Sequence, residues 1–87
     1  MPTVWIPAPL RTLTNQHETV RVPGGTVREV IDHLDAQFPG IKARLCDGDS
    51  LRRGMVVAID AEVSRLGLDQ TVEENNEVHF LPAIGGG

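Results

Sequence analysis

Aliphatic residues recur at every second position in two short runs near the start of the chain, at the period of a half-buried β-strand. The first strand is predicted over residues 3–8, bent by the two prolines of this region and continued by residues 10–13. The second strand is predicted over residues 18–22. Residues 14–17 between them are polar and include an asparagine, so the two strands are expected to form a hairpin.

A period of 3.6 residues then replaces the alternation and predicts the main helix. Thr26 is expected to cap this helix, and Glu29 three residues later completes a capping box. Pro39 and Gly40 are expected to end it, because the residue before a proline avoids the α region. The apolar side chains that share one face of the helix are Val27, Val30, Ile31, Leu34 and Phe38.

The second half of the chain returns to strands. Residues 41–46 predict one short helical turn, and residues 47–50 predict a loop. Residues 55–60 predict a strand, and residues 55–59 within it are apolar at successive positions, as in a strand that is covered on both faces. A short strand is predicted over residues 63–66, and the final strand over residues 77–81, where Val78 and Phe80 alternate with His79 and Leu81.

The order strand, strand, helix, strand, short strand, strand predicts an α+β fold. It consists of a small mixed sheet with one main helix packed on one face. The hairpin before the helix and the late returning strand favour a β-grasp arrangement, in which the first and last strands lie parallel at the centre of the sheet. Residues 1–82 are expected to form this domain, and residues 83–87 a flexible C-terminal tail.

Composition and charge exclude several classes of partner. The net charge is −4, and the lysines and arginines are scattered along the chain, which argues against a nucleic acid partner. No apolar run approaches the roughly 20 residues that span a bilayer, so no membrane association is expected. The single cysteine cannot form an internal disulfide, and we therefore expect a reducing, cytoplasmic location.

The interior of the predicted domain offers little chemistry. His17, His33 and His79 have no spacing that resembles a metal site. Cys46 follows Leu45 at the end of a short apolar segment, so it is interpreted as a packed small hydrophobe rather than a nucleophile. We expect no catalytic residues, no bound cofactor and no metal, and the chain is not expected to be an enzyme.

The chain ends in a run with almost no side chain. Pro82 cannot donate a ladder hydrogen bond and is expected to close the sheet. Glycine lacks a Cβ, so the run can enter a narrow passage, and five extended residues reach about 16 Å. The Gly87 carboxylate can thus be delivered into another protein's active site, although a frayed chain end is an alternative interpretation. The tail residues expected to enter that site are Ala83, Ile84, Gly85 and Gly86.

The outer face of the sheet is the predicted docking surface. Alternation places Trp5 and Pro7 on the face opposite the helix, beside His79 and Leu81 of the final strand. In a β-grasp sheet, Trp5 and Leu81 would form one exposed apolar patch near the root of the tail. A contiguous patch of this kind often marks a partner site.

Four stretches carry a resemblance that extends over essentially the whole chain: residues 6–11, 26–31, 38–45 and 81–87. The last stretch is the most specific, because a strand, a proline and a terminal Gly-Gly close a domain of this size. On these residues the chain resembles the ubiquitin-like sulfur-carrier proteins of the ThiS/MoaD family, most closely the carriers of cysteine synthesis.

The resemblance implies a sulfur carrier that works with three kinds of protein partner. A ubiquitin-activating-type enzyme would use ATP to adenylate the carboxylate of Gly87. A sulfur donor or sulfurtransferase would then convert the terminus to a thiocarboxylate. A sulfur-accepting biosynthetic enzyme of cysteine, molybdopterin, thiamine or a secondary metabolite would take the sulfur.

Two alternatives are left open by the sequence. A ubiquitin-like modifier would use the same adenylation but would be joined through Gly87 to lysines of other proteins. A plain interaction module would have an incidental tail. The three hypotheses differ in their products, which are a sulfur-bearing metabolite, protein conjugates or neither.

Overall fold

The computed structural model describes residues 1–83, which form two β-sheets and two α-helices. In chain order the strands are β1 (Thr3–Trp5), β2 (Thr19–Arg21), β3 (Cys46–Asp47), β4 (Ser50–Leu51), β5 (Met55–Ile59), β6 (Glu62–Val63) and β7 (Glu77–Pro82). The α-helices are α1 (Val27–Gln37) and α2 (Ile41–Leu45), and 3₁₀-helices lie at Ala8–Thr14 and Gly67–Asp69.

The main sheet has the strand order β2-β1-β7-β5-β6. The last strand, β7, lies at its centre, parallel to β1 and antiparallel to β5. Val4 of β1 is opposite Val78 of β7, and Val57 of β5 is opposite Phe80. This is the predicted β-grasp arrangement, with first and last strands parallel at the centre, and the fold prediction is confirmed.

One face of the sheet forms the core together with α1. The side chains of Val4, Val57 and Val78 are completely buried, and they belong to one apolar cluster with the helix face. The buried residues of α1 are Val27, Val30, Ile31 and Leu34, as its apolar stripe predicts. Because one face of each strand is thus covered, the alternate side chains form a separate outer face.

The start of α1 is set by side-chain capping. The hydroxyl of Thr26 accepts a hydrogen bond from the backbone N–H of Glu29 at 3.2 Å. The carboxylate of Glu29 accepts one from the backbone N–H of Gly25 at 2.8 Å, one residue further back than in a standard capping box. The predicted Thr26 cap is confirmed, whereas the capping box differs from the prediction because the Glu29 carboxylate bonds to Gly25 instead of Thr26.

Replacing Thr26 by alanine is expected to lower the free energy of unfolding by about 1 kcal/mol, because it leaves an N-terminal N–H of α1 without its partner. Denaturant unfolding followed by circular dichroism measures the change. The matched control is Thr12→Ala, at an exposed threonine of the first 3₁₀-helix. Equal stabilities of the two variants would contradict a capping role for Thr26.

The predicted strand over residues 3–8 and its continuation over residues 10–13 are wrong in extent. β1 ends at Trp5, and a 3₁₀-helix occupies Ala8–Thr14. Proline has no N–H to donate to a sheet, and its fixed φ suits the start of a helix. The carbonyl of Pro7 accepts a hydrogen bond from the Leu10 N–H at 2.8 Å. The prolines therefore end the strand rather than bend it.

The loop predicted over residues 47–50 is the turn of a small hairpin. β3 and β4 pair antiparallel, with Cys46 opposite Leu51 and Asp47 opposite Ser50. Gly48 has a φ of 63°, the left-handed conformation that a glycine adopts without strain. Two-residue strands have no readable alternation, so the pairing was not predicted.

The short strand predicted over residues 63–66 is displaced toward the N-terminus, because β6 ends at Val63. The hydroxyl of Ser64 donates to the side-chain oxygen of Gln70 at 2.6 Å and accepts from the Leu66 N–H at 3.0 Å. These local bonds turn the chain away from the sheet.

Candidate functional site

The root of the tail is fixed by the sheet. Pro82 is the last residue of β7 and lies opposite Met55. The N–H of Ala83 donates to the carbonyl of Gly54 at 2.8 Å, so β-type hydrogen bonding extends one residue past the strand. Successive backbone N–H groups of a strand point to opposite neighbours. The Ala83 N–H points toward β5, so the Pro82 nitrogen points toward β1, which has already ended at Trp5, and no ladder hydrogen bond is lost.

Trp5 and His79 lie next to each other on the outer face. They are opposite residues of β1 and β7, and their rings stack with centroids 5.4 Å apart and planes 11° from parallel. Nε1 of Trp5 donates to a carboxylate oxygen of Glu77 at 2.8 Å. The indole is 37% exposed, so it keeps a free surface while its polar edge is already bonded.

Leu81 belongs to an apolar groove at the same end of the sheet as the tail. Its side chain is 40% exposed, and it lies opposite Val56 of β5. Val63 of β6 is 60% exposed and completes the patch. The groove has a volume of about 410 Å³, and its lining residues are Val56, Val63, Leu81, Pro82 and Ala83.

This groove contains two residues that sequence reasoning did not propose, Val56 and Val63. The predicted apolar neighbour of Leu81 was Trp5, which does not line the groove. A signal was available, because residues 55–59 are apolar on both faces while only one face of the sheet carries a helix. Placing Val63 beside Val56 requires the β5–β6 register, which local patterns do not give.

The other predicted site residues have different positions. Pro7 lies beyond the end of β1 and is half-buried at the start of the first 3₁₀-helix. Strand alternation therefore does not place it on the outer face. Ala83 is exposed at the groove. Ile84, Gly85, Gly86 and Gly87 lie outside the described residues.

Cys46 and the histidines are not brought together into a site. The Cys46 side chain is 7% exposed, and burial raises the pKa of its thiol, with the Lys42 ammonium acting in the opposite direction. A neutral buried thiol is a poor nucleophile, which fits its interpretation as a packed hydrophobe. His33 contacts the carbonyl of Glu29 at 2.9 Å, and His17 is exposed on a turn.

Residues 1–83 contain neither a cluster of metal-binding side chains nor a helix that could cross a membrane. These residues contain no group of three or more His, Cys, Asp or Glu side chains arranged to hold a metal ion. The helices of the same segment are all too short or too polar to cross a membrane.

Known proteins share both the sequence pattern and the fold of this chain. The model of the ThiS family matches residues 4–87, which covers the main sheet apart from Thr3 at the start of β1 and extends to the terminal glycines. The chain belongs to the ThiS family. The family resemblance predicted from the four sequence stretches is therefore confirmed.

Relatives of this ThiS-family chain include a curated protein and solved structures. It is 36% identical to the sulfur carrier protein CysO of Mycobacterium tuberculosis over 90 residues, covering 98% of this chain and 97% of the relative. In the structure of the Amycolatopsis orientalis BexX/CysO complex, the matching chain is 38% identical with a TM-score of 0.90, and the match covers 100% of both chains.

A modifier protein shares the fold at lower identity. SAMP1 from Haloferax volcanii is 24% identical, with a TM-score of 0.75 over 98% of this chain and 97% of that one. At this identity the likeness concerns the β-grasp fold alone.

Proposed function

We propose that this ThiS-family chain is a sulfur carrier and that the sulfur is attached at the C-terminal carboxyl group of Gly87. The observation that carries the proposal is the match of the family model through to residue 87, which includes the terminal glycines. The 36% identity to a sulfur carrier protein over nearly the whole of both chains supports it.

The chemistry follows from the properties of a terminal carboxylate. Its ordinary pKa is near 3.5, so at neutral pH it is an anion and a poor electrophile. In the proposed first step a Gly87 oxygen attacks the α-phosphorus of ATP on the activating enzyme, and pyrophosphate leaves. Hydrosulfide from the sulfur donor then attacks the carbonyl carbon, AMP departs with the former carboxylate oxygen, and loss of a proton leaves a thiocarboxylate.

In this proposal the chain is a protein co-substrate and not an enzyme. It supplies a reactive terminus and a docking surface, while ATP is bound by the activating enzyme. The sulfur acceptor is proposed to be a biosynthetic enzyme, and we propose a cytoplasmic location. Cys46, the residue with the most nucleophilic chemistry in the interior, has no part in the reaction because it is buried.

Delivery depends on where the tail begins. The hydrogen bond from Ala83 to Gly54 fixes one end of the tail at the sheet. Four further residues, each at most 3.3–3.6 Å long, give a reach of about 13–14 Å. The partner must therefore approach the root of the tail closely, and contact with the neighbouring sheet surface follows from that distance.

The proposed docking surface is the outer face of the sheet beside the tail. Leu81 lies in the apolar groove with Val56 and Val63. Trp5 and His79 offer a flat aromatic surface further along the same face. Pro7, two residues past the end of β1 at the N-cap of the first 3₁₀-helix, is included as a peripheral residue of the proposed surface.

The test is the intact mass of the full-length chain after incubation with ATP, sulfide and the activating enzyme of its source cell. We expect a gain equal to the mass difference between sulfur and oxygen, located in the C-terminal peptide and absent without ATP. Conjugates with isopeptide bonds to lysines, with no such gain, would support the modifier alternative. An unchanged mass, with AMP formation by the enzyme verified, would overturn the proposal.

A further inference from the structure

Positive and negative side chains are distributed unevenly between the two ends of the main sheet. The chain contains eight Lys and Arg residues against twelve Asp and Glu. Three of the eight, Arg52, Arg53 and Arg65, lie around the root of the tail. No Asp or Glu occurs in residues 50–59, 63–68 or 78–87.

The backbone places these arginines beside the groove. Arg52 and Arg53 directly precede Gly54, whose carbonyl accepts the hydrogen bond from Ala83. On the other side, the Ser64 N–H donates to the Val57 carbonyl at 2.9 Å, which continues the antiparallel β5–β6 pairing. Arg65 follows and therefore lies toward the end of β5 that adjoins the tail.

The opposite end of the sheet is acidic. Glu77 begins β7, and its N–H donates to a carboxylate oxygen of Asp60 at 2.9 Å. Glu62, Glu73 and Asp60 line a second cavity there, of about 330 Å³. The two ends of the main sheet thus differ in the sign of their charge.

The arginines at the tail root are not used within the described fold as ion-pair partners. Arg28 pairs with Asp49 and Asp69, and Lys42 pairs with Asp32. Arg52, Arg53 and Arg65 form no ion pair with a carboxylate of residues 1–83. The same holds for Arg11, Arg21 and Arg44, so position beside the tail, rather than the lack of an ion pair, distinguishes the tail-root arginines. Nε of Arg52 donates to the Ala43 carbonyl, whereas Arg53 and Arg65 are exposed.

We infer that Arg53 and Arg65, which the backbone places at the tail-root end of the groove formed by Val56, Val63 and Leu81, dock against an acidic rim on the activating enzyme. This rim would surround the opening that receives the tail, with an apolar centre facing Leu81. The inference rests on the proposed function, because it requires that the tail enters this enzyme. Arginine is suited to the contact since its planar guanidinium binds carboxylates in a bidentate manner.

The physical reason for such an arrangement is guided association. A net-negative chain that approaches an acidic surface is repelled unless a positive region leads, and here the positive region lies beside the root of the tail. Complementary charge of this kind raises association rates by about 10-fold to 1,000-fold and orients the partners before contact. The acidic end of the sheet opposes approach in the reverse orientation.

The experiment compares two double charge reversals in the full-length chain. Arg53→Glu with Arg65→Glu reverses the charge at the tail root. Arg21→Glu with Arg44→Glu reverses two exposed arginines away from it, one on β2 and one on α2, and changes the net charge by the same amount. ATP–pyrophosphate exchange by the activating enzyme is measured against carrier concentration, at low salt and at high salt.

We expect the tail-root variant to raise KM at least about tenfold at low salt with kcat nearly unchanged, because only association is affected. The control pair should stay within about twofold of the wild type. High salt should raise the wild-type KM and reduce the difference, since the Debye length falls below 10 Å. Equal effects of both pairs, or no effect of either, would overturn the inference. Thermal unfolding of each variant verifies that the fold is retained.

Other outcomes separate this inference from the proposed function. Normal wild-type exchange with an unaffected tail-root variant removes the inference and leaves the sulfur carrier. No exchange with the wild-type chain removes both. The wild-type chain could instead form concentration-dependent dimers that the tail-root variant abolishes. In that case the groove binds the acidic end of the sheet in a second copy of the chain. That result would also overturn the inference.

Discussion

Deletion of Gly87 is expected to reduce ATP-dependent sulfur loading by at least about 100-fold, because a displacement of 1 Å at a reacting group already costs about that much. The deletion leaves two terminal glycines and a carboxylate, so the chemistry of the end group is unchanged. What changes is reach, which shortens by about 3.3–3.6 Å per residue removed. With Ala83 bonded to Gly54, the sheet cannot compensate without losing that bond.

A matched variant separates length from composition. Deletion of Ile84 shortens the tail by the same one residue but keeps all three terminal glycines. Intact mass after timed incubation with ATP, sulfide and activating enzyme measures the loading rate of each chain. Equal losses would assign the effect to reach, and a loss confined to the Gly87 deletion would assign it to the third glycine. Full loading of both shortened chains would contradict delivery by a tail of fixed length.

Leu34→Ala is expected to lower the free energy of unfolding by about 2–5 kcal/mol, because it leaves a cavity beneath α1. Leu34 is completely buried in the cluster between α1 and the sheet. A domain of this size has a total stability of about 4–13 kcal/mol, so the loss is a large share of it. The unfolding temperature should fall by about 10 °C or more.

The control for this prediction is the same chemical change at Leu66, whose side chain is 62% exposed. Leu66→Ala should alter stability by less than about 0.5 kcal/mol, as surface substitutions usually do. Thermal and denaturant unfolding followed by circular dichroism measure both variants. A cost at Leu34 no greater than at Leu66 would mean that the helix face does not hold the core together.

The sequence was most informative where local signals agreed. The start of α1 was predicted because Thr26, Glu29 and the apolar stripe from Val27 all indicate the same helix. The central parallel pair of strands was predicted from the order of elements. In each case one physical requirement, a cap or a covered face, determines the local pattern.

The errors arose where pairing depends on distant residues or on very short elements. Pro7 and Pro9 are compatible with an irregular strand as well as with a 3₁₀-helix, and local propensity does not decide between them. Each strand of the β3–β4 hairpin has only two residues, too few to show an alternation of apolar and polar side chains. The groove was missed because Val63 meets Leu81 only through the register of β5, and register is a property of the whole sheet.

The central position of β7 has a consequence for how the chain is made. β1 and β7 pair the two ends of the sequence, so the sheet closes only when the last strand has been synthesised. Contacts of such high sequence separation slow folding and give the domain a high contact order. Before β7 inserts, β1 and β5 each lack the strand that pairs with both of them. The main sheet of a nascent chain therefore has no central strand. The fold is therefore completed by the strand that carries the tail. A chain whose synthesis stops before residue 77 should not fold, so it should not accumulate as a folded protein that lacks the reactive terminus and competes with the full-length chain for its partners.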